Sequence, residues 1–473
     1  MLTFADVLEA LTGTRPEAAS LLISEAAIDS RQVIPAGMFV ALKGERVDGH
    51  DYVEQAFAKG AHLALVQRDL DFNCPVIDLR KGNLGPQMTI PVPPFVLRVE
   101  DTLKALQDIA RYWRRKHDLH VIGITGSVGK STTKELIAEV LSQRYRVLNN
   151  PGNLNNEIGL PLTLLHLSPG HQVAVLEMGF YIPGEITFLC DLALPQIGVI
   201  TNVGTVHAER AGSQEIIAKG KAELVRALPP APDGIAILNY DDPWVQPMAE
   251  QTRANVFYYG LDPRADLWAD NIESLGLKGI TFQLHFQNEV LHVRIPLIGR
   301  HSVHTALRAA AVGVVEGMTW SEIMAGLRHS HTQLRLVVVN TINGALLVDD
   351  SYNSSPESTL AALNLLEEID GRKVAVLGDM LELGPYEAEG HEIVGRRAAE
   401  VANLLVTVGD LGKKIGEAAR GSGLTDDAII NCDTVPQAIE KLRKLLVQGD
   451  VALIKGSHGL RMDRIAAALE VQE

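Results

Sequence analysis

Short unbroken apolar runs recur along this chain, separated by stretches whose apolar residues repeat every three or four positions. Runs at 39–42, 62–66, 121–124, 173–176, 197–200, 235–238, 346–348, 373–377, 404–408 and 451–455 have the length and continuity of parallel strands buried on both faces. Helical spacing occupies 52–59, 102–113, 134–141, 184–192, 214–228 and 301–317, and Asp101 stands where the N-cap of the second of these would be. Residues 268–298 alternate instead, as antiparallel strands do, and read as a β extension. Residues 82–94 hold four prolines and two glycines with little periodicity, which marks a loop or linker. The pattern predicts an α/β chain of three domains. These are a small α/β unit over residues 1–100, a central doubly wound and mostly parallel sheet over 101–330, and a Rossmann-like sheet without a G-x-G-x-x-G over 331–473. No internal repeat beyond the βα alternation and no low-complexity tract is evident.

Composition narrows the classes. At 473 residues the chain exceeds one ordinary core. Hydrophobic residues make up 46% and charged residues 21%, a globular balance, and no apolar run reaches the 18 residues a membrane helix needs. The opening residues lack a basic region followed by an apolar one, so no secretory signal is expected. Cys74, Cys190 and Cys432 are odd in number, with no C-x-x-C, and are expected reduced in a cytoplasmic protein. A net charge of −15 argues against nucleic acid as a partner, because phosphate backbones need a basic face.

The chemistry concentrates after the run at 121–124, in Thr125-Gly126-Ser127-Val128-Gly129-Lys130-Ser131-Thr132. Strand, glycine turn, Lys-Ser and helix form a phosphate cradle. The glycines let backbone N–H groups face an anion, and the helix N-terminus adds partial positive charge. Lys130 would reach the β/γ-phosphates and the Ser131 hydroxyl would sit on Mg²⁺. Ile124 replaces the first glycine of the strict G-x-x-x-x-G-K-[ST] pattern, so this is a variant loop.

Ligands of open α/β sheets bind at the carboxyl ends of strands. Glu177 follows one run, and Thr201-Asn202-Val203-Gly204-Thr205-Val206-His207 follows another. Taken singly, Glu177 reads first as a helix cap or ion-pair member and His207 first as a hydrogen-bonded loop residue; sharing a sheet with the phosphate loop makes them Mg²⁺ candidates. Lys221 by itself reads as part of a solvated basic helix face, and Asp349-Asp350 as an Asx turn.

These stretches together resemble the Mur ligase family over essentially the whole chain. The resemblance rests on Thr125 to Ser131 of the loop, on Gly152-Asn153-Leu154-Asn155-Asn156, on Thr201 to His207, and on Gly378-Asp379-Met380-Leu381-Glu382-Leu383-Gly384. Ile28-Asp29-Ser30-Arg31 and the segment with Lys43, Asp48 and His50 resemble that family's uridine-nucleotide domain. The resemblance implies an ATP-dependent ligase that joins D-alanyl-D-alanine to UDP-N-acetylmuramoyl-tripeptide through an acyl phosphate, as a cytoplasmic monomer. It implies that Thr125, Gly126, Ser127, Val128, Gly129, Lys130, Ser131, Thr132, Arg335 and Asp350 bind ATP. Ser131, Glu177, His207 and Lys221, the last carbamylated by CO₂, would hold Mg²⁺, and Lys130, Glu177, His207 and Lys221 would be catalytic. Ser30, Arg31, Lys43, Asp48, His50, Asn153 and Asn156 would bind the UDP-sugar substrate. Two departures stand out. The family's H-N-x-x-N is His301-Ser302-Val303-His304-Thr305, and the second Asn of D-D-S-Y-N-A-N-P is Ser355. Both bear on how adenine is held and leave the metal and phosphate positions intact. Another ligase of the superfamily, a non-catalytic nucleotide-binding scaffold and a P-loop kinase are the competing readings.

Overall fold

The apolar runs become sheet interiors because strands buried on both faces leave no position for a polar side chain. The computed structural model describes residues 1–17, 19–81, 90–328 and 337–470. The chain divides into two compact units. One comprises residues 1–123, 145–179 and 185–197, the other residues 124–144, 180–184 and 198–473.

In the first unit a five-stranded sheet runs in the order Ala26–Ala27, Met38–Val40, Leu63–Val66, Phe95–Arg98, Val76–Asp78, with every pairing parallel. The helix Phe4–Thr12 begins with a capping box in which Thr3 and Asp6 satisfy each other's backbone N–H. The helix Thr102–Arg115 starts where the sequence indicates, with the Asp101 carboxylate accepting from the Lys104 N–H at 2.9 Å. Its Trp113 indole donates to the Leu167 carbonyl at 3.0 Å, and its buried Arg114 to that of Ala193 at 2.7 Å. Also in this unit, Val147–Asn149 pairs in parallel with Val173–Glu177. The expected loop at 82–94 falls mostly outside the described residues.

The second unit holds a mixed sheet and a mostly parallel one. Ile235–Asn239, Asn255–Gly260 and the start of Leu267–Ser274 pair in parallel. Leu267–Ser274, Ile280–Phe286 and Glu289–Ile295 then continue antiparallel, as the alternation at 268–298 predicts. The last sheet runs Val337–Asn340, Leu346–Asp349, Asp450–Lys455, Arg372–Gly378, Leu404–Val408, Ile429–Cys432, parallel except for its first pair. Helices on both faces of this last sheet bury separate apolar clusters, one centred on Leu363, Leu377 and Ile415, the other on Val376, Leu442 and Ile465. Among the described residues Cys74, Cys190 and Cys432 form no disulfide. Among the described residues no helix is long and apolar enough to cross a membrane.

Candidate active site

The strand His120–Thr125 delivers the chain into the glycine turn, and the helix Lys130–Leu141 takes it out. Gly126 has φ +152°, and an added Cβ there would fall 1.8 Å from the Thr201 hydroxyl oxygen. Gly129 has φ +81° and caps the helix. Both positions need glycine, one for space and the other for its left-handed backbone. The loop is clamped by the strand end beside it. Asn202 accepts from the Ser127 N–H through its carbonyl at 3.0 Å and from the Val128 N–H through its side-chain oxygen at 2.9 Å. The Thr201 hydroxyl donates to the Val128 carbonyl at 2.8 Å, and the Gly204 N–H donates to the Ser127 hydroxyl at 2.8 Å. These bonds hold the turn before any ligand arrives, which is the preorganisation a phosphate cradle needs. Lys130 lies back on the loop, its ammonium donating to the Gly126 carbonyl at 3.0 Å. Thr125 is fully buried; Ser131 and Thr132 occupy the first turn of the helix.

His207 stands near this loop in a left-handed backbone conformation, φ +69°. Its Nδ1 is 2.7 Å from Glu382 Oε2, and its ring meets Tyr181 edge-on at 4.8 Å. Burial, together with the charge of Lys130, pulls its pKa down to about 4 against the opposing effect of Glu382. The ring is therefore neutral at pH 7, with Nδ1–H donated to the carboxylate and the Nε2 lone pair left over.

Lys221 is the clearest departure from its sequence-level reading. It is not on a solvated face: 1% of it is exposed, inside the helix Gln214–Ala227. Gly220 makes room for the Phe180 ring, which would lie 2.0 Å from a Cβ at that position. The Lys221 ammonium sits 5.0 Å from the centre of the same ring. Burial, and secondarily the charge of Lys130, pushes its pKa well below the ordinary lysine value, which favours the neutral amine.

Glu177 ends its strand buried in the first unit. Asn155 donates to its carboxylate at 2.7 Å, and Asn150 bonds its backbone N–H and carbonyl at 2.9 and 3.1 Å. Asn156 instead accepts from the Ile158 and Gly159 N–H groups at 3.2 and 2.9 Å, just ahead of the helix Gly159–Leu165, and Asn153 is exposed. In the same unit the Ser30 hydroxyl donates to Gln55 at 2.7 Å, and exposed Arg31 pairs with Asp29 at 2.7 Å. Lys43 bridges to Asp48 through the backbone. Asp48 accepts from His50 Nδ1 at 2.6 Å while His50 Nε2 accepts from the Gln67 N–H at 3.0 Å. Both ring nitrogens of His50 are thus engaged within the chain.

Asp350 lies in the second unit, 2.6 Å from the buried Lys455 ammonium, which also donates to the Asn353 carbonyl at 2.9 Å. Arg335 lies outside the described residues. At the two replaced asparagines of the helix Ser302–Val315, Ser302 donates back to the Ile298 carbonyl at 2.7 Å, and Thr305 accepts from Arg308 at 2.8 Å.

Lys130, His207 and Lys221 thus lie within electrostatic reach of one another. Sequence reasoning did not assign a site role to Asn155, Glu382, Lys455 or Arg308. Asn155, Glu382 and Lys455 each directly follow an apolar run or fall in a motif already noted; Arg308, inside an alanine-rich helix, carried no such signal.

Comparison with known proteins agrees along the whole chain. Residues 22–114 match the family model described as "Mur ligase family, catalytic domain", residues 124–313 the "Mur ligase middle domain", and residues 334–458 the "Mur ligase, glutamate ligase domain". The UDP-N-acetylmuramoyl-tripeptide–D-alanyl-D-alanine ligase of Bacillus subtilis is 34% identical over 99% of this chain and 98% of its own. A crystal structure of MurF from Acinetobacter baumannii superposes with a TM-score of 0.83 at 30% identity, covering 99% of this chain and 98% of that one. MurF ligase from Thermotoga maritima in complex with ADP gives 0.77 at 28% identity, covering 95% and 97%. With its phosphate loop intact and its full length matched by these relatives, the chain belongs to the Mur ligase family.

Proposed function

We propose that this chain is the ATP-driven ligase that joins D-alanyl-D-alanine to UDP-N-acetylmuramoyl-tripeptide, giving the pentapeptide precursor of the cell wall. The observation that carries this reading is a preorganised phosphate loop with Lys130, His207 and Lys221 beside it, in a chain that matches ligases of that name end to end. The tripeptide's terminal carboxylate would attack the γ-phosphorus of ATP, releasing ADP and leaving an acyl phosphate. The dipeptide amine would then attack the acyl carbon, phosphate would leave, and the amine would lose its proton. A carboxylate alone is a poor acyl donor because oxide is a poor leaving group, and phosphorylation supplies a good one. Phosphoryl transfer asks the protein chiefly for positioning and charge neutralisation. Lys130 would exchange its carbonyl bonds within the loop for phosphate oxygens.

The residues fit the magnesium and the carbamate that family membership implies. A neutral histidine whose Nδ1–H is held by a carboxylate presents Nε2 as metal-ligating histidines do. Neutral Lys221 is the form of the amine that CO₂ combines with. Glu177, held by Asn155, is an oxygen ligand of the hard type magnesium prefers. Ser131, in the first turn of the helix Lys130–Leu141, would offer its hydroxyl as a further oxygen donor. When bound, magnesium would neutralise charge on the phosphates. We assign the UDP-sugar to residues 1–100, ATP to 101–330 and the dipeptide to 331–473, in a cytoplasmic monomer.

The test is ADP release with each substrate omitted in turn, with the product identified by mass. Release that needs all three substrates and yields the pentapeptide supports the reading. Amide formation with glutamate or a free diamino acid, or a stable phosphorylated product, overturns it.

A further inference from the structure

Arg308 is a buried cation that forms no salt bridge among the described residues. Only 4% of it is exposed. It donates to the Thr305 hydroxyl at 2.8 Å and, weakly, to the Tyr259 hydroxyl at 3.4 Å, and its Nε has no hydrogen-bond partner. Among the described residues no carboxylate pairs with it. Tyr259 cannot compensate, since its own proton is directed to the Ile200 and Thr201 carbonyls at 3.0 and 3.1 Å. A lysine so placed could shed its proton; a guanidinium cannot. The chain therefore buries a guanidinium that forms no ion pair among the described residues, an arrangement that makes sense when an anion completes it.

The place where the anion would bind is fixed by the neighbour. One terminal nitrogen of Arg308 lies 3.4 Å from where a Cβ on Gly129 would be. Gly129 is the residue that turns the phosphate loop into its helix, immediately before Lys130. The guanidinium thus flanks the loop on the side of the helix Ser302–Val315. Its anchor Thr305 stands at one of the two positions where the family resemblance expects asparagine.

We propose that Arg308 binds a phosphate oxygen of the nucleotide, adding a second fixed positive charge beside Lys130. Planar, forked and permanently charged, a guanidinium suits phosphate better than any other side chain. The inference rests on the loop being the ATP site.

The experiment uses the full chain as wild type, Arg308→Met and Arg308→Lys. Calorimetric titration with Mg-ATP and with inorganic tripolyphosphate, which has no base or sugar, is paired with thermal melts with and without each ligand. Arg308→Met is expected to melt no lower than wild type without ligand. It should lose tenfold or more in affinity for both ligands and show a smaller ligand-induced melting shift; Arg308→Lys should recover part of the loss. A purely packing role would lower the ligand-free melt and leave the affinities alone, overturning the proposal. So would a loss confined to ATP, which would move the contact to adenine or ribose. If Arg308→Met does not fold, Arg308→Lys and Arg308→Gln carry the same comparison. Failure of wild type to bind either ligand would remove the reading of the loop itself, whereas wild-type binding with unchanged variants removes only the role of Arg308.

Discussion

His207 and Glu382, 175 residues apart in the chain, meet with Nδ1 and Oε2 at 2.7 Å. Each sits in a left-handed backbone conformation, φ +69° and +64°, which a residue with a side chain adopts at some cost. The Glu209 N–H donates to the Glu382 carbonyl at 3.2 Å, tying the two turns together. The carboxylate fixes the tautomer of the histidine and so decides which ring nitrogen is left to work.

Removing that carboxylate should cost activity without unfolding the chain. Glu382→Ala is expected to lower the rate of ADP release by about 10–100-fold, the usual range for losing the partner of a ligating histidine, and to raise the magnesium concentration needed for half-maximal rate. Glu382→Gln, which can still accept from Nδ1–H, should lose less. Equal rates in all three proteins at limiting magnesium would remove the orienting role.

Gly126→Ala places a methyl group 1.8 Å from the Thr201 hydroxyl oxygen, and Thr201 holds the Val128 carbonyl. The clash cannot be relieved without opening the loop. A loss of about 3 kcal/mol, read as a lower urea midpoint, should accompany loss of ATP binding. A variant with wild-type melting and binding would mean that the loop is softer than its hydrogen bonds indicate.

Lys221 makes a sharper case, because among the described residues its buried amine forms no salt bridge. Lys221→Met is expected to melt at or above the wild-type temperature while ADP release falls by about 100-fold or more, the two readouts moving apart as they do when a functional charge is replaced by an apolar isostere. With ¹³C-labelled CO₂, a carbamate carbon resonance should appear in wild type and be missing from the variant. Full activity in CO₂-free buffer would contradict the carbamate.

Acid should loosen the last sheet through His391. This ring is fully buried. Its Nε2 accepts from the Met380 N–H at 3.0 Å, and its Nδ1–H donates to the Glu387 carbonyl at 2.6 Å. Burial holds its pKa below 6.5, so the unfolded chain binds the proton more readily than the folded one. Its contribution is then complete above pH 6.5 and is lost as pH falls through the lower folded value. Urea midpoints should drop between pH 7.5 and 5.5, and the drop should be smaller in His391→Gln. The same drop in both proteins would assign the acid sensitivity elsewhere.

Much of this was legible in the chain because its causes are local. Apolar runs and helical periods are short-range, and the strands Val173–Glu177, Leu404–Val408 and Asp450–Lys455 stand where the runs place them. The phosphate loop was equally plain, since a glycine turn between strand and helix needs only neighbouring residues. Lys221 was not. Its helix period puts it on a face, but whether that face meets water or Phe180 depends on a segment 41 positions away. Arg308 gave no sign at all within its run of alanines.

The order of its residues determined the secondary structure, the cradle and the likeness to a family, because hydrophobic spacing and turn chemistry act over a few positions. Packing alone decided which charges are stripped of water: a lysine driven toward neutrality, a histidine whose proton is settled by a distant glutamate, an arginine buried beside a tyrosine and a threonine. Dehydration and pairing depend on what the folded chain brings alongside, and that is not written at any single position.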